Sequence, residues 1–353
     1  MARDAETVTT EGTTEATAEA IVDGTPDATT GVTVDGTAEV TADGTTVVTH
    51  RVEVSAPAAA VYRIVAEVGL WPLYFPPTVR AERTSGDETD ERIRIWALAN
   101  GELRTWESRR RLEPARLRIE FEQVQPREPV AAMGGTWRIT ERPDGGCTVE
   151  LDHFYRAVDG DPVAHERITR AVDTNSRSEL EHLRRAAERG EAERELLFDF
   201  ADTETITGSI EEAYAFIYEA SRWPERLPHV ARLELREEET GLQFMEMDTR
   251  SPDGSLHTTA SGRVCEPLRR ITYKQTILPP VLHAHNGEWR FEEGPDGTVK
   301  VTSHHQVLLD PAGIDALPDP PKTLADARQA VRHALGSNSR ATMAKARAFV
   351  QTG

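Results

Sequence analysis

With 353 residues the chain is long enough for two domains of ordinary size, and its formal net charge of −19 argues against nucleic acid or an anionic membrane as a partner. Roughly half of that excess lies before residue 46, so the remainder is only mildly acidic. Two isolated cysteines, Cys147 and Cys265, exclude a disulfide framework and a cysteine metal site, and the lack of a basic-then-apolar leader or a long apolar run predicts a cytoplasmic protein.

Residues 1–45 are rich in Thr, Ala, Gly and acids, with Asp-Gly-Thr recurring at 23, 35 and 43. Without large apolar residues such a stretch cannot offset its ordering entropy, which predicts a disordered, dispensable tail; its Val-Thr alternation is the argument for a folded β-repeat instead. A first strand runs from Thr46 to Ser55, and Ser55 is placed to cap a short helix that follows Ala56-Pro57 and runs to about Val68. Trp71-Pro72 ends that helix. Strand-like runs follow at about 78–85, 90–99, 102–112, 115–124, 133–141 and 146–157, separated by hairpin signals, and a long helix from Pro162 to Ala187 carries Ile168, Val172, Leu180 and Leu183 at helical spacing.

A linker at 188–196 leads into the same order of elements: a strand near 197–207, a helix from Ser209 to Ala220, strands from about 230 to 309, and a helix from Leu324 to Gln351. Tyr62 and Tyr214, Trp71-Pro72 and Trp223-Pro224, Trp137 and Trp289, and His153 and His305 are each related by a shift of 152. A period this long means two complete domains, at 46–190 and 196–353. The fold class is α+β: in each domain a curved antiparallel sheet wraps a long C-terminal helix and leaves a cavity between them.

Ser-x-Arg recurs at matching places, in Trp106-Glu107-Ser108-Arg109-Arg110 and in Thr259-Ala260-Ser261-Gly262-Arg263. Strand alternation turns Trp106, Ser108 and Arg110 inward and sends Arg109 and Arg111 to solvent. In the second repeat hydrophobicity alone selects Ala260, Gly262 and Val264 as the inner face; the repeat alignment instead selects Thr259, Ser261 and Arg263. An inward Arg must be paired or face a wet pocket.

Other candidates are Trp71 and Trp223, each either core or pocket wall; His229, His283 and His285, which titrate near neutrality; and Asn175 and Asn338, midway along the long helices. There is no phosphate loop, nucleophile elbow, His-Glu-x-x-His or dinucleotide fingerprint, so no nucleotide cofactor and no catalytic metal are expected.

The element order, the Trp-Pro after the small helices, the strand Trp-x-Ser-x-Arg and the His of the last strand together resemble the START/Bet v 1-like helix-grip (SRPBCC) superfamily. Two tandem copies are similar to the di-domain aromatase/cyclases of bacterial type II polyketide synthases, over about residues 46–351. The resemblance implies a poly-β-ketone substrate on acyl carrier protein, with synthase and ketoreductase components as partners. It further implies a chain reduced at carbon 9, first-ring aldol closure between carbons 7 and 12, and dehydration to an aromatic ring. Arg110, Ser108, Arg263 and Ser261 would be catalytic; Trp71, Trp106, Trp223, Thr259, His229, Asn175 and Asn338 would bind substrate. Thr259 stands where the motif has Trp, and Thr78 and Val230 stand near the place of a tyrosine found in some single-domain relatives, so no tyrosine mechanism is implied. A carrier or sensor of an apolar ligand is the rival reading, and the inward arginines are the feature that speaks against it.

Overall fold

The computed structural model describes residues 35–99, 102–190, 192–250 and 254–352. The first domain contains β1 (Asp35–Val40), β2 (Thr46–Val54), α1 (Ala58–Ala66), α2 (Trp71–Tyr74), β3 (Thr78–Gly86), β4 (Asp90–Ala99), β5 (Glu102–Glu113), β6 (Arg118–Gln123), β7 (Val130–Glu141), β8 (Cys147–Ala157) and α3 (Pro162–Arg189). Its eight strands form one antiparallel sheet in the order β1-β2-β8-β7-β6-β5-β4-β3. A short helix α4 (Ala192–Leu196) leads into the second domain. That domain comprises β9 (Leu197–Thr207), α5 (Ile210–Tyr218), α6 (Trp223–Arg226), β10 (Val230–Glu239), β11 (Leu242–Arg250), β12 (Leu256–Glu266), β13 (Arg270–Ile277), β14 (Leu282–Glu293), β15 (Thr298–Leu309), α7 (Pro311–Asp315) and α8 (Leu324–Thr352). Its separate sheet runs β10-β11-β12-β13-β14-β15-β9. The fold is α+β, two helix grips in tandem, and the buried Ile168, Val172, Leu180 and Leu183 are the stripe by which α3 is held.

Two local expectations are corrected. Part of the stretch assigned to a tail is a strand: β1 pairs with β2 from Asp35↔Arg51 to Val40↔Thr46. The turn between them is fixed by the Asp43 carboxylate, which accepts from the Thr41 hydroxyl and the Thr45 N–H, and by Gly44 at φ +80°. An edge strand is held by ladder hydrogen bonds and so needs no apolar anchor, and Val40 is indeed exposed. The rest of the tail, residues 1–34, lies outside the described residues. Ser55 does not cap α1, which begins after Pro57 with no side-chain cap; the Ser55 N–H donates instead to the Glu188 carboxylate of α3 at 2.9 Å. Pro57 stands at the N-cap position that the 152-residue shift matches to Ser209, and Ser209 does cap α5, accepting from the Glu212 N–H at 3.1 Å.

The domains dock through β3, β4 and β5 of the first and β11, β12 and β13 of the second. Val79, Trp96 and Leu103 pack with Leu242 and Val264. A Cβ on Gly262 would stand 2.8 Å from Val79 Cγ2, so only glycine fits there without a shift. Arg80 pairs with Glu266 at 3.1 Å and Arg270 with Glu82 at 3.2 Å across the same seam. This contact explains the ambiguous strand: Ala260, Gly262 and Val264 are apolar because they face the other domain, which frees Ser261 and Arg263 to point inward.

Candidate active site

In β5 the alternation holds: Ser108 and Arg110 are buried, Trp106 is half-buried, and Arg109 and Arg111 are exposed. Arg110 is 2% exposed and fixed on three sides. Its Nη1 donates to Val65 O at 2.9 Å, its Nη2 to Ala66 O at 2.8 Å, and its Nε lies 3.0 Å from Glu91 Oε1. Val65 and Ala66 end α1, where the last carbonyls lack helical partners and a cation is favoured by the dipole. Trp71 completes the arrangement by donating Nε1–H to Ile64 O at 3.2 Å, with the guanidinium carbon 5.4 Å from its ring centre. Trp-Pro and Ser-x-Arg are therefore one device, which closes the end of a short helix.

The second domain repeats it. Trp223 donates to Phe216 O at 3.2 Å, Arg263 Nη2 donates to Ile217 O at 2.6 Å, and the Arg263 guanidinium carbon is 5.3 Å from the Trp223 ring centre. One residue differs. Glu91 opposes Arg110 in the β4–β5 ladder, whereas Gln243 opposes Arg263 in the β11–β12 ladder. Arg263, 1% exposed, has Met245 Sδ at 4.0 Å on another side. Burial lowers its pKa, and the tyrosines, Cys265 and Glu237 around it raise it only in part.

Two of the Arg110 N–H groups therefore donate to carbonyls, its Nε is ion-paired with Glu91 without making a hydrogen bond, and the guanidinium borders an open space on a further side. That space is a cavity of about 420 Å³ between the sheet and α3. Trp71, Phe75, Ile93, Ile95, Trp106 and Phe121 make apolar wall, and Ser108, Arg110, His153, Asn175, Glu179 and His182 are its polar points. Volume and lining suit a small organic ligand with a few fixed polar contacts. His153 hydrogen-bonds Ser176 (Nδ1 to Oγ, 3.2 Å), and burial pushes its pKa down to about 4, so it is neutral at pH 7.

The second-domain counterparts of Phe121, Gln123, Met133 and His153 are Tyr273, Gln275, His285 and His305, and they close on one another. His285 Nδ1 lies 2.7 Å from Gln275 Oε1 and its Nε2 2.9 Å from His305 Nδ1; His305 Nε2 lies 2.7 Å from Ser339 Oγ. Burial pushes both imidazoles down, to about 3 and about 4.

The candidates therefore divide. Arg110, Ser108, Trp71, Trp106 and Asn175 border one cavity. Arg263, Ser261 and Trp223 are buried in the second domain, where Thr259 and His229 are half-buried. Asn338 is corrected: it is exposed on α8, and its neighbour Ser339 takes the inward position beside His305. The offset of 163 also relates Ser339 to Ser176, which meets His153, so in both long helices it is the serine after the asparagine that faces the histidine of the last strand.

Residues 45–188 and 206–319 each match a family described as "Polyketide cyclase / dehydrase and lipid transport". The chain is 43% identical over 295 residues to the granaticin polyketide synthase bifunctional cyclase/dehydratase of Streptomyces violaceoruber, covering 83% of this chain and 91% of that one. It is 41% identical over 312 residues to the actinorhodin polyketide synthase bifunctional cyclase/dehydratase of Streptomyces coelicolor, covering 85% and 96%. The crystal structure of the di-domain ARO/CYC BexL from the BE-7585A biosynthetic pathway superposes with a TM-score of 0.77 at 47% identity, covering 86% of this chain and 98% of that one. The chain belongs to the polyketide cyclase/dehydrase family.

This cyclase/dehydratase is thus an enzyme of polyketide synthase pathways, and among its described residues no helix is long and apolar enough to cross a membrane. Three of its placed groups had escaped sequence reasoning. Glu91, Glu179 and the second domain's Lys274 read as ordinary strand or helix charges. Only Glu91 left a signal, in that its parity and hairpin register set it opposite Arg110. Lys274 crosses the domain seam to donate to Phe75 O at 2.8 Å and Thr78 O at 3.2 Å, behind the cavity wall.

Proposed function

We propose that the enzyme closes the first ring of a carbon-9-reduced poly-β-ketone held on acyl carrier protein, joining carbons 7 and 12, and then dehydrates that ring to an aromatic one, inside the first-domain cavity. The observation that carries this reading is the guanidinium of Arg110, fixed by the carbonyls of Val65 and Ala66 and by Glu91, on the wall of a largely apolar chamber. A folded chain brings a weakly acidic methylene near a ketone, and positioning of that kind supplies much of an intramolecular barrier. The developing alkoxide or enolate then needs prearranged donors in a site that excludes water, and Arg110 and Ser108 are such donors. Trp71, Trp106 and Phe121 would hold the chain's apolar bends, and Asn175 a carbonyl. Trp223, Thr259, Ser261 and Arg263 support α5 and the second grip, and His229 stands outside the first-domain cavity; on this reading none of them touches the reacting carbons.

The experiment is reconstitution with a minimal synthase, its carrier protein and a ketoreductase. Replacement of the shunt product by an aromatised one on adding this protein supports the reading. An unchanged shunt product would leave the fold as a carrier of an apolar molecule.

A further inference from the structure

The proposed reaction needs a group that takes a proton from carbon, and neither Arg110 nor Ser108 does so at neutral pH. On α3, Asn175, Glu179 and His182 stand three and four residues apart, so they share one face of the helix, and all three border the cavity. Glu179 differs from the other carboxylates of its helix. Glu181, Glu188 and Asp173 on the same helix pair with arginines, whereas among the described residues no hydrogen bond or ion pair engages Glu179. An unpaired acid against an apolar chamber is costly unless it serves the ligand.

We propose that Glu179 is the general base of the ring closure and the proton carrier of the dehydration, a role that rests on the function proposed above. Its carboxylate takes a proton from the nucleophilic methylene; the new carbon–carbon bond forms as the enolate adds to the ketone, and the carboxylic acid returns that proton to the alkoxide held by Arg110 and Ser108. In the second stage it takes a proton from the carbon beside the carbinol and gives it to the departing hydroxide, which leaves as water. The base is regenerated and no oxidant, reductant or co-reactant is consumed.

Desolvation holds the Glu179 carboxyl at about 7, against an ordinary value near 4.5, which is where a general base works best at physiological pH. The charged or titratable groups around the cavity are His182 and Arg167 on the helix of Glu179, His153 on β8, Arg110 on β5, Glu102 and Arg104 on the cavity's β5 rim and Arg127 before β7, with Lys274 behind His182. Burial lowers both histidines, His153 to about 4, which keeps that ring neutral across the working range. Lys274, at about 7, titrates in the same window. It is present equally in wild type and in a Glu179 variant, and a ratio of the two cancels it.

The test is Glu179→Gln in the full-length protein, assayed with the minimal synthase and ketoreductase at pH 6, 7 and 8. Loss of a general base typically lowers the rate about 10²–10⁴-fold, and the ratio of wild-type to variant aromatisation should widen from pH 6 to pH 8 as the wild-type carboxylate ionises. Because the variant removes a half-buried, unpaired acid, its thermal midpoint is expected to stay level or rise. Glu179→Asp should restore part of the activity. A Gln variant with near-wild-type aromatisation, or a deficit that does not change with pH, overturns the role of Glu179 while wild-type activity keeps the functional reading intact. Absence of aromatised product from wild type overturns both.

Discussion

Arg110 and Glu91 form a buried ion pair in which burial is the largest influence on each partner. The guanidinium is pushed down to about 10 and the carboxyl is raised, so mutual attraction only partly offsets desolvation. Such a pair stabilises a fold weakly, but breaking it from one side leaves a stranded charge at about 3–5 kcal/mol. Arg110→Met does this to Glu91, leaving it only the longer contact with Arg83 at 3.8 Å, and also frees the carbonyls of Val65 and Ala66, so the loss should sit at the lower end of that range. Adding Glu91→Gln, the residue type the second domain has as Gln243, removes the stranded charge. The double variant should then recover most of the loss, leaving about 1–3 kcal/mol for the unmade carbonyl bonds. Urea unfolding at pH 7 measures both, and product analysis should find aromatised product lowered on the order of a hundredfold in both. The sign of the pH effect follows from Glu91. A carboxyl whose folded pKa is raised destabilises the fold above that value and ceases to do so as pH falls toward its unfolded pKa, so the gap between single and double variants should narrow on acidification. A double variant as unstable as the single one, or one that still aromatises, would refute the reasoning.

Two further expectations concern the seams of the molecule. Burial pushes the Lys274 amine down to about 7, so its penalty is absent above the unfolded pKa and grows as pH falls; thermal stability should rise from about pH 7 to about pH 10 in wild type, and Lys274→Met should flatten that rise. Removal of residues 1–34 should leave the thermal midpoint and product yield unchanged, whereas removal through Thr45 strips β1 from β2 and should lower the midpoint measurably.

Much of this architecture was legible because both domains carry the same marks. The 152-residue shift fixed the element order, and strand parity placed Trp106, Ser108 and Arg110 correctly. What stayed hidden depends on contacts between elements distant in sequence. Gly262 and Val264 look like part of an inner face because they meet Val79 and Leu103 of the other domain. Ser55 looks like a cap, but Glu188, at the far end of α3, takes its N–H. β1 carries no apolar pattern because its stabilisation is a ladder of backbone bonds. Asn338 was misplaced since matching the two helices does not say which residue of Asn-Ser turns inward, and on α8 it is Ser339. Glu179 was passed over because one acid among many on an Arg- and Glu-rich helix carries no mark of its own until the cavity is seen.

The claim that the ring closes in the first-domain cavity is tested most directly by matched lesions in the two domains. Aromatised product should be compared for Arg110→Met with Glu91→Gln, for Arg263→Met, whose neighbour is already Gln243, and for Arg109→Ala as the exposed control, each checked for fold by circular dichroism. The first should fall on the order of a hundredfold, as for loss of an oxyanion donor, while the other two stay near wild type. Undiminished product from the first, or an equal fall in folded Arg263→Met, would contradict the account.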